Sequence, residues 1–167
     1  MQQVAPVLIE AADAREYAVA RTLIEQYAAE IKIDLCFQEI DAELARLPEV
    51  YGPPAGCLLL ALEAGAPGGV PMGGTPVGCG ALRPFSAERC EMKRLFVRPQ
   101  ARGMNFGRLI AQALVAKARG LGYTHMLLDT LQSMTTAQAL YRSLGFKETA
   151  AYYDNPLPDA VYMQLDL

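Results

Sequence analysis

The sequence is short of the residues that build metal sites and disulfide frameworks. It has one histidine, His125, and four cysteines, and no two cysteines form a C-x-x-C pair. A zinc site needs several such ligands at short spacings, so the sequence predicts no metal. A chain of 167 residues can bury an adequate core without disulfides, and we therefore expect the four thiols to be reduced and structural.

Long apolar runs and an excess of positive charge are also missing. No apolar stretch approaches the roughly 20 residues that a membrane-spanning helix needs, and residues 1–13 lack the basic and apolar regions of a signal peptide. The 15 basic side chains are outnumbered by 18 acidic ones, so we expect no broad basic surface for nucleic acid. These absences predict a cytoplasmic protein with no nucleic-acid partner and no membrane partner.

The sequence does contain enough apolar residues, 52%, for a single globular domain over residues 1–167. Apolar periodicity and turn residues predict four helices, over residues 14–30, 38–47, 106–120 and 135–144. They predict seven strands, over residues 7–10, 57–62, 77–82, 90–97, 125–131, 146–153 and 160–167. Glycine and proline make residues 64–76 a loop between antiparallel strands. The strands on either side of the helix over 106–120 should be parallel. The fold class is therefore α/β (α+β), with a mixed, mostly antiparallel sheet.

The turn before the helix over 106–120 has the composition of a phosphate-binding site. Residues 102–107 read RGMNFG, with Arg102 and Arg108 at the two ends. Glycine lets backbone N–H groups approach a ligand, and a helix N-terminus adds donors and partial positive charge. Tight turning alone can also explain such glycines, so both interpretations stay open. The P-loop and dinucleotide fingerprints are absent, which excludes those two nucleotide sites.

Two blocks of this sequence resemble the Gcn5-related N-acetyltransferase (GNAT) family. RGMNFG resembles the R/Q-x-x-G-x-G/A signature of that family, and the preceding EMKRLFVRP resembles its fourth strand. ALYRSLGFKE, residues 139–148, is similar to its last helix and following strand. The best-matched core is residues 88–150. Asn105 and Met134 depart from the glycine and asparagine of many members. The resemblance implies the GNAT fold and transfer of an acetyl group from acetyl-CoA to an amine, with no metal.

The resemblance also implies which residues hold coenzyme A. The pantetheine arm would pair with the main chain of the fourth strand, at Leu95, Phe96 and Val97. The pyrophosphate would lie on the amides of the turn, with Arg108 beside it: Arg102, Gly103, Met104, Asn105, Phe106 and Gly107.

Two catalytic candidates follow from the same resemblance. Tyr141 stands at the family position of the general acid near the sulfur, although its spacing also suits an ordinary core residue. Glu91 is the candidate base, acting through water. The alternative for Glu91 is a solvated strand end paired with a nearby lysine or arginine. Asp129 is a weaker candidate for the base.

The acceptor amine is less well defined by the sequence. A small molecule, an amino acid or a peptide amine all suit the family reaction, and aromatic residues are candidates for the acceptor side: Tyr27, Phe37, Tyr51, Tyr152, Tyr153 and Tyr162. Two alternatives stay open. One is a non-catalytic acyl-CoA-binding or regulatory module of the same fold, and the other is a scaffold role as a homodimer.

Overall fold

A computed structural model describes residues 6–32, 39–64 and 71–167 of the chain. The helices are α1 (Ala14–Ile31), α2 (Ile40–Ala45), α3 (Leu47–Tyr51), α4 (Phe106–Gly120) and α5 (Thr135–Ser143). The strands are β1 (Pro6–Glu10), β2 (Cys57–Ala64), β3 (Gly74–Pro84), β4 (Arg89–Val97), β5 (His125–Leu131), β6 (Lys147–Thr149) and β7 (Ala160–Asp166).

The described strands form one mixed sheet in the order β1-β2-β3-β4-β5-β7-β6. Every neighbouring pair is antiparallel except β4 and β5, which pair in parallel at their first residues. Helix α4 makes the crossover between those two strands, as a parallel pair requires. The predicted seven-stranded, mostly antiparallel sheet is therefore confirmed.

Each face of the sheet carries its own apolar core. Helices α4 and α5 cover one face, where Ile110 and Leu114 are fully buried. Helices α1 to α3 cover the other face, where Leu23 and Ile24 are fully buried. Helix α1 begins at a capping box in which Asp13 accepts a hydrogen bond from the Glu16 amide at 2.9 Å.

Two predicted elements differ from the structure. The helix expected over residues 38–47 is two short helices, α2 and α3, divided at Arg46 (φ −134°, ψ 35°). Pro48 does not end a helix there but lies in the first turn of α3, where its missing N–H costs nothing. The strand expected over 146–153 is only β6, because Tyr152 and Tyr153 turn their hydroxyls to carboxylates of β4 and β5.

A β-bulge in β4 shapes the middle of the sheet. Cys79 pairs with Phe96 and Ala81 pairs with Lys93, so Gly80 alone lies opposite two residues, Arg94 and Leu95. Arg94 takes a left-handed conformation (φ 57°) to make the bulge.

The bulge reverses which side chains share a face of β4. Leu95 and Val97 pack with the α4 and α5 core, which also contains Cys90 and Met92. Glu91 alternates with Cys90 and Met92 and therefore points to the opposite face. The strand period of two residues alone would predict that residues 91, 93, 95 and 97 share one face of β4, and this prediction is wrong because the bulge interrupts the strand.

Candidate active site

A cleft opens where β4 and β5 separate. Their pairing ends at Glu91 and Leu127, after which β5 pairs only with β7 and β4 only with β3 among the described residues. The resulting cleft has a volume of about 600 Å³. Its walls include the bulged half of β4, the end of β5, the first turn of α5 and the turn before α4.

The turn before α4 presents its backbone donors to this cleft. Gly103 (φ 80°) and Asn105 (φ 69°) are both left-handed, which directs successive N–H groups outward. In the described part of the chain, the N–H groups of residues 103–108 have no protein hydrogen-bond acceptor. The amide of Arg102 differs, because it donates to the carbonyl of Pro99 at 3.2 Å. Five of the six predicted pyrophosphate amides, those of residues 103–107, are thus available to a ligand.

Two arginines flank this turn but are tied to the protein. The Arg102 side chain donates to the Val97 carbonyl at 3.0 Å and pairs with Glu30 at the surface. Arg108 donates to the Ser143 hydroxyl at 2.9 Å, which links α4 to α5. The Val97 carbonyl, which the sequence assigned to pantetheine, therefore already accepts one hydrogen bond.

Tyr141 lies on α5 at the wall of the cleft and is 7% exposed. Its ring packs on Phe146, with 5.8 Å between the centroids. The hydroxyl has no hydrogen-bond partner among the described residues, and it is not fully enclosed, so it opens to the cleft. Burial raises the pKa of Tyr141 well above its ordinary value, and the charges of Tyr27 and Asp129 raise it further. The phenol therefore keeps its proton at neutral pH.

Glu91 is deeply buried rather than at a solvated strand end. It is 1% exposed, and its carboxylate accepts from Arg83 at 2.8 Å and from the Tyr152 hydroxyl at 2.6 Å. Glu91 is not among the described residues that line the cleft. Its role as a base stays a prediction, and it would have to act through a group lying between it and the cleft.

Asp129 is the carboxylate that does line the cleft, from β5. Its Oδ2 accepts from the Tyr153 hydroxyl at 2.6 Å, and its Oδ1 lies 3.4 Å from Lys93 Nζ. The sequence ranked Asp129 below Glu91, and no local pattern shows that Lys93 faces it from another strand.

A buried pair beside the bulge was missed by sequence reasoning. Arg94 binds Glu43 of α2 through Nε at 2.9 Å and Nη2 at 2.8 Å. The Tyr51 hydroxyl donates to the same carboxylate at 2.8 Å. Burial alone would raise the pKa of Glu43, but the hydrogen bonds and charge of Arg94 outweigh burial and lower it. Arg94 and Glu43 are separated by 51 positions in the sequence, so no local pattern shows this contact.

The aromatic candidates for the acceptor side lie in different places, and their role stays a prediction. Tyr51 is fully buried and donates to Glu43, and Tyr152, Tyr153 and Tyr162 are not among the described residues that line the cleft. Tyr152, Tyr153 and Tyr162 form a cluster in which ring centroids lie 5.4–5.8 Å apart. Tyr27 lines the cleft and contacts Phe96. The candidate Phe37 lies outside the described residues.

The three described thiols and His125 are not among the residues that line the cleft. Burial raises the pKa of Cys57, Cys79 and Cys90 to about 12, and all three are free thiols, while Cys36 lies outside the described residues. His125 lies 3.5 Å from Asp166 near the surface. In the described ranges, no cluster of histidine, cysteine and carboxylate side chains could hold a metal.

Comparison with known proteins gives the class of this protein. The model of the acetyltransferase (GNAT) family matches residues 37–146. An uncharacterized N-acetyltransferase from Schizosaccharomyces pombe is 43% identical over 148 residues, covering 88% of this chain and 86% of that protein. The chain therefore belongs to the GNAT family.

Solved structures show the same fold. An acetyltransferase from Streptococcus agalactiae has a TM-score of 0.77 at 22% identity, with 100% of each chain covered. A Salmonella typhimurium protein, solved with its cofactor acetyl-CoA, has a TM-score of 0.65 at 18% identity, over 97% of this chain and 94% of that one. The predicted GNAT fold is thus confirmed. Across residues 6–32, 39–64 and 71–167, no helix is long and apolar enough to cross a membrane.

Proposed function

We propose that this protein is an acetyl-CoA-dependent N-acetyltransferase that acts on an amine of a small molecule, amino acid or peptide. One observation carries the proposal: among the described residues, the amides of 103–108 have no protein acceptor, and all of these residues except Met104 line a cleft between separated strands. An anion bound there would receive several N–H donors and the positive end of the α4 dipole. Membership of the GNAT family and the acetyl-CoA bound to a protein of the same fold support this assignment.

The residues around the cleft suit each part of the cofactor. The turn amides of Gly103 to Gly107 would hold the diphosphate. The half of β4 that has left β5 offers main-chain groups at Leu95 and Phe96 for the pantetheine arm. No described cluster suggests a metal, and this proposal uses none.

Acetyl-CoA supplies an acetyl thioester, whose carbonyl carbon is attacked by the amine nitrogen and whose sulfur leaves as a thiol. Main-chain N–H groups of β4 near Leu95 would stabilise the oxyanion. The Tyr141 hydroxyl, protonated and open to the cleft, would give its proton to the departing sulfur. Glu91 was predicted to be the base, acting through water, and because it does not line the cleft it would need such an intermediary to reach the amine.

Calorimetry with coenzyme A tests the cofactor site. Gly107→Val puts a side chain among the turn amides, and a Cβ there meets nothing closer than 3.8 Å, so the fold should tolerate it. Losing one or more charge-assisted hydrogen bonds, at about 1.5–3 kcal/mol each, should weaken binding by about 10- to 100-fold.

Gly120→Val is the matched control, because Gly120 ends the same helix and has open space around it. It should bind coenzyme A like the wild type. Equal affinity of all three proteins, or no binding by the wild type, would refute the cofactor site. Tight binding with no thiol release over a broad amine panel would instead identify a non-catalytic acyl-CoA-binding module.

A further inference from the structure

Two opposite charges face each other across the cleft, beside the proposed thioester position. Lys93 on β4 and Asp129 on β5 both line the cleft, and their side chains are 5% and 11% exposed. The distance from Nζ to Oδ1 is 3.4 Å. The other buried pair on β4, Arg94 with Glu43, is closer, at 2.8 Å, and has two hydrogen bonds. The Lys93–Asp129 pair is the looser of the two and the one that a ligand could open.

Position rather than bonding favours Asp129 over Glu91 as the group that meets the amine. Each carboxylate contacts one cation and one tyrosine hydroxyl, but only Asp129 lines the cleft. Glu91 lies outside the cleft and is held by a guanidinium and a phenol. Asp129 and Tyr141 line the same cleft, and the charge of Asp129 acts on the Tyr141 phenol. Asp129 on β5, as proton acceptor, and Tyr141 on α5, as proton donor, therefore face the same cleft.

The charge balance of the pair restricts the acceptor amine. An ammonium that binds Asp129 competes with Lys93 for that carboxylate, and weakening a buried ion pair is costly. A second, negative group on the acceptor would offset this by binding Lys93. An ammonium nitrogen and a carboxylate oxygen on one carbon lie about 2.7–3.6 Å apart by standard bond lengths. This spacing matches the 3.4 Å between Lys93 Nζ and Asp129 Oδ1. The ammonium can therefore contact Asp129 while the carboxylate contacts Lys93, so that each charge lies beside charges of opposite sign.

We propose that Asp129 and Lys93 bind the ammonium and carboxylate of a free α-amino acid, which is the acceptor of the acetyl group. This inference rests on the proposed function. The ammonium loses two protons as the N–C bond forms and the C–S bond breaks. One passes to Asp129 and then to solvent. Tyr141 gives its proton to the departing sulfur, and the second ammonium proton restores the Tyr141 hydroxyl.

Thiol release at saturating acetyl-CoA provides the test, with the free L-amino acids compared with their primary amides. The best amino acid should have a kcat/KM at least about tenfold above its amide, since the amide offers no carboxylate to the Lys93 ammonium. Lys93→Gln should remove this preference, mainly by raising the KM of the amino acid. Asp129→Asn should lower kcat by about 100-fold or more, the usual effect of losing a general base.

Controls separate chemistry from folding. Asp166→Asn makes the same change at a carboxylate that is 85% exposed and away from the cleft, and it should be fully active. Asp129→Glu keeps the charge and should recover part of the lost kcat. Calorimetry with coenzyme A and thermal unfolding verify that each variant retains the fold.

Several results would overturn the inference. Amides that react as well as amino acids would remove the carboxylate requirement. A fully active Asp129→Asn beside an inactive Glu91→Gln would assign the base to Glu91. If the wild type acetylates no amine at all, the proposed function fails by itself. Calorimetry with the same amino acids in the presence of coenzyme A then tests whether Lys93 and Asp129 bind an amino acid, and absence of binding refutes the inference.

Discussion

Replacing Glu43 with glutamine tests the buried pair that anchors the β4 bulge. Glu43 is 6% exposed and Arg94 is 5% exposed. The pair is bidentate, and the fully buried Tyr51 donates to the same carboxylate. Glu43→Gln removes the negative charge beside a buried guanidinium. Breaking such a pair from one side costs about 3–5 kcal/mol.

Thermal unfolding followed by circular dichroism measures this cost. For a chain of this size, about 2–4 °C of midpoint shift accompanies each kcal/mol, so Glu43→Gln should unfold about 6–20 °C below the wild type. Glu49→Gln is the control. Glu49 pairs with Arg46 at 2.8 Å, but the two side chains are 67% and 63% exposed. That exposed pair should contribute less than about 1 kcal/mol. Equal midpoint shifts in the two variants would refute the reasoning.

The effect of Glu43→Gln should depend on pH in a defined direction. Arg94 lowers the folded-state pKa of Glu43 below the ordinary value of 4.5. The stability that this carboxylate contributes is therefore fully present above pH 4.5 and is lost as the pH falls through the lowered pKa. The difference in unfolding midpoint between wild type and Glu43→Gln should shrink over that acidic range. A difference that grows with acid would contradict the assigned direction.

Glu43→Gln should also lower catalytic activity. Arg94 holds a left-handed conformation that costs a non-glycine residue about 1–2 kcal/mol, and its pair with Glu43 helps to hold it there. Loosening the bulge would shift the main chain at Leu95, beside the proposed oxyanion position. We expect Glu43→Gln to lower kcat more than it weakens coenzyme A binding, measured below its unfolding midpoint.

Three further predictions follow from other parts of the structure. Tyr141→Phe should lower turnover by about 10²–10⁴-fold with little change in coenzyme A affinity, because it removes only the proton donor; an equally active variant in the thiol-release assay would exclude Tyr141 as the acid. Gly80→Ala puts a Cβ 2.5 Å from Ile110 Cγ2 and should destabilise the protein by about 1–3 kcal/mol in thermal unfolding, whereas no loss would mean that α4 adjusts. The buried Cys79, whose pKa is raised to about 12, should react with a thiol reagent only on unfolding, and rapid labelling of the native protein at pH 7 would contradict its burial.

Sequence patterns succeeded where short-range interactions dominate. The periods of about 2 and 3.6 residues placed the strands and the helices α1, α4 and α5 within a few residues of their observed bounds. They failed at Arg46, where one predicted helix divides into two, and at residues 150–153, where the predicted strand gives way to contacts with distant carboxylates. At residues 150–153, tertiary contacts outweigh local propensity.

The candidate active site likewise has features that local sequence determines and features that depend on tertiary contacts. The sequence by itself determined the turn of residues 102–107, because glycine, asparagine and a helix start dictate the direction of nearby amides. Only the tertiary structure decided that β4 bulges at Arg94, that Glu91 is enclosed, and that Lys93 meets Asp129 across the cleft. Strand register and ion pairing join residues far apart in the chain. Their energies depend on which partner the fold brings near, and no local pattern records that choice.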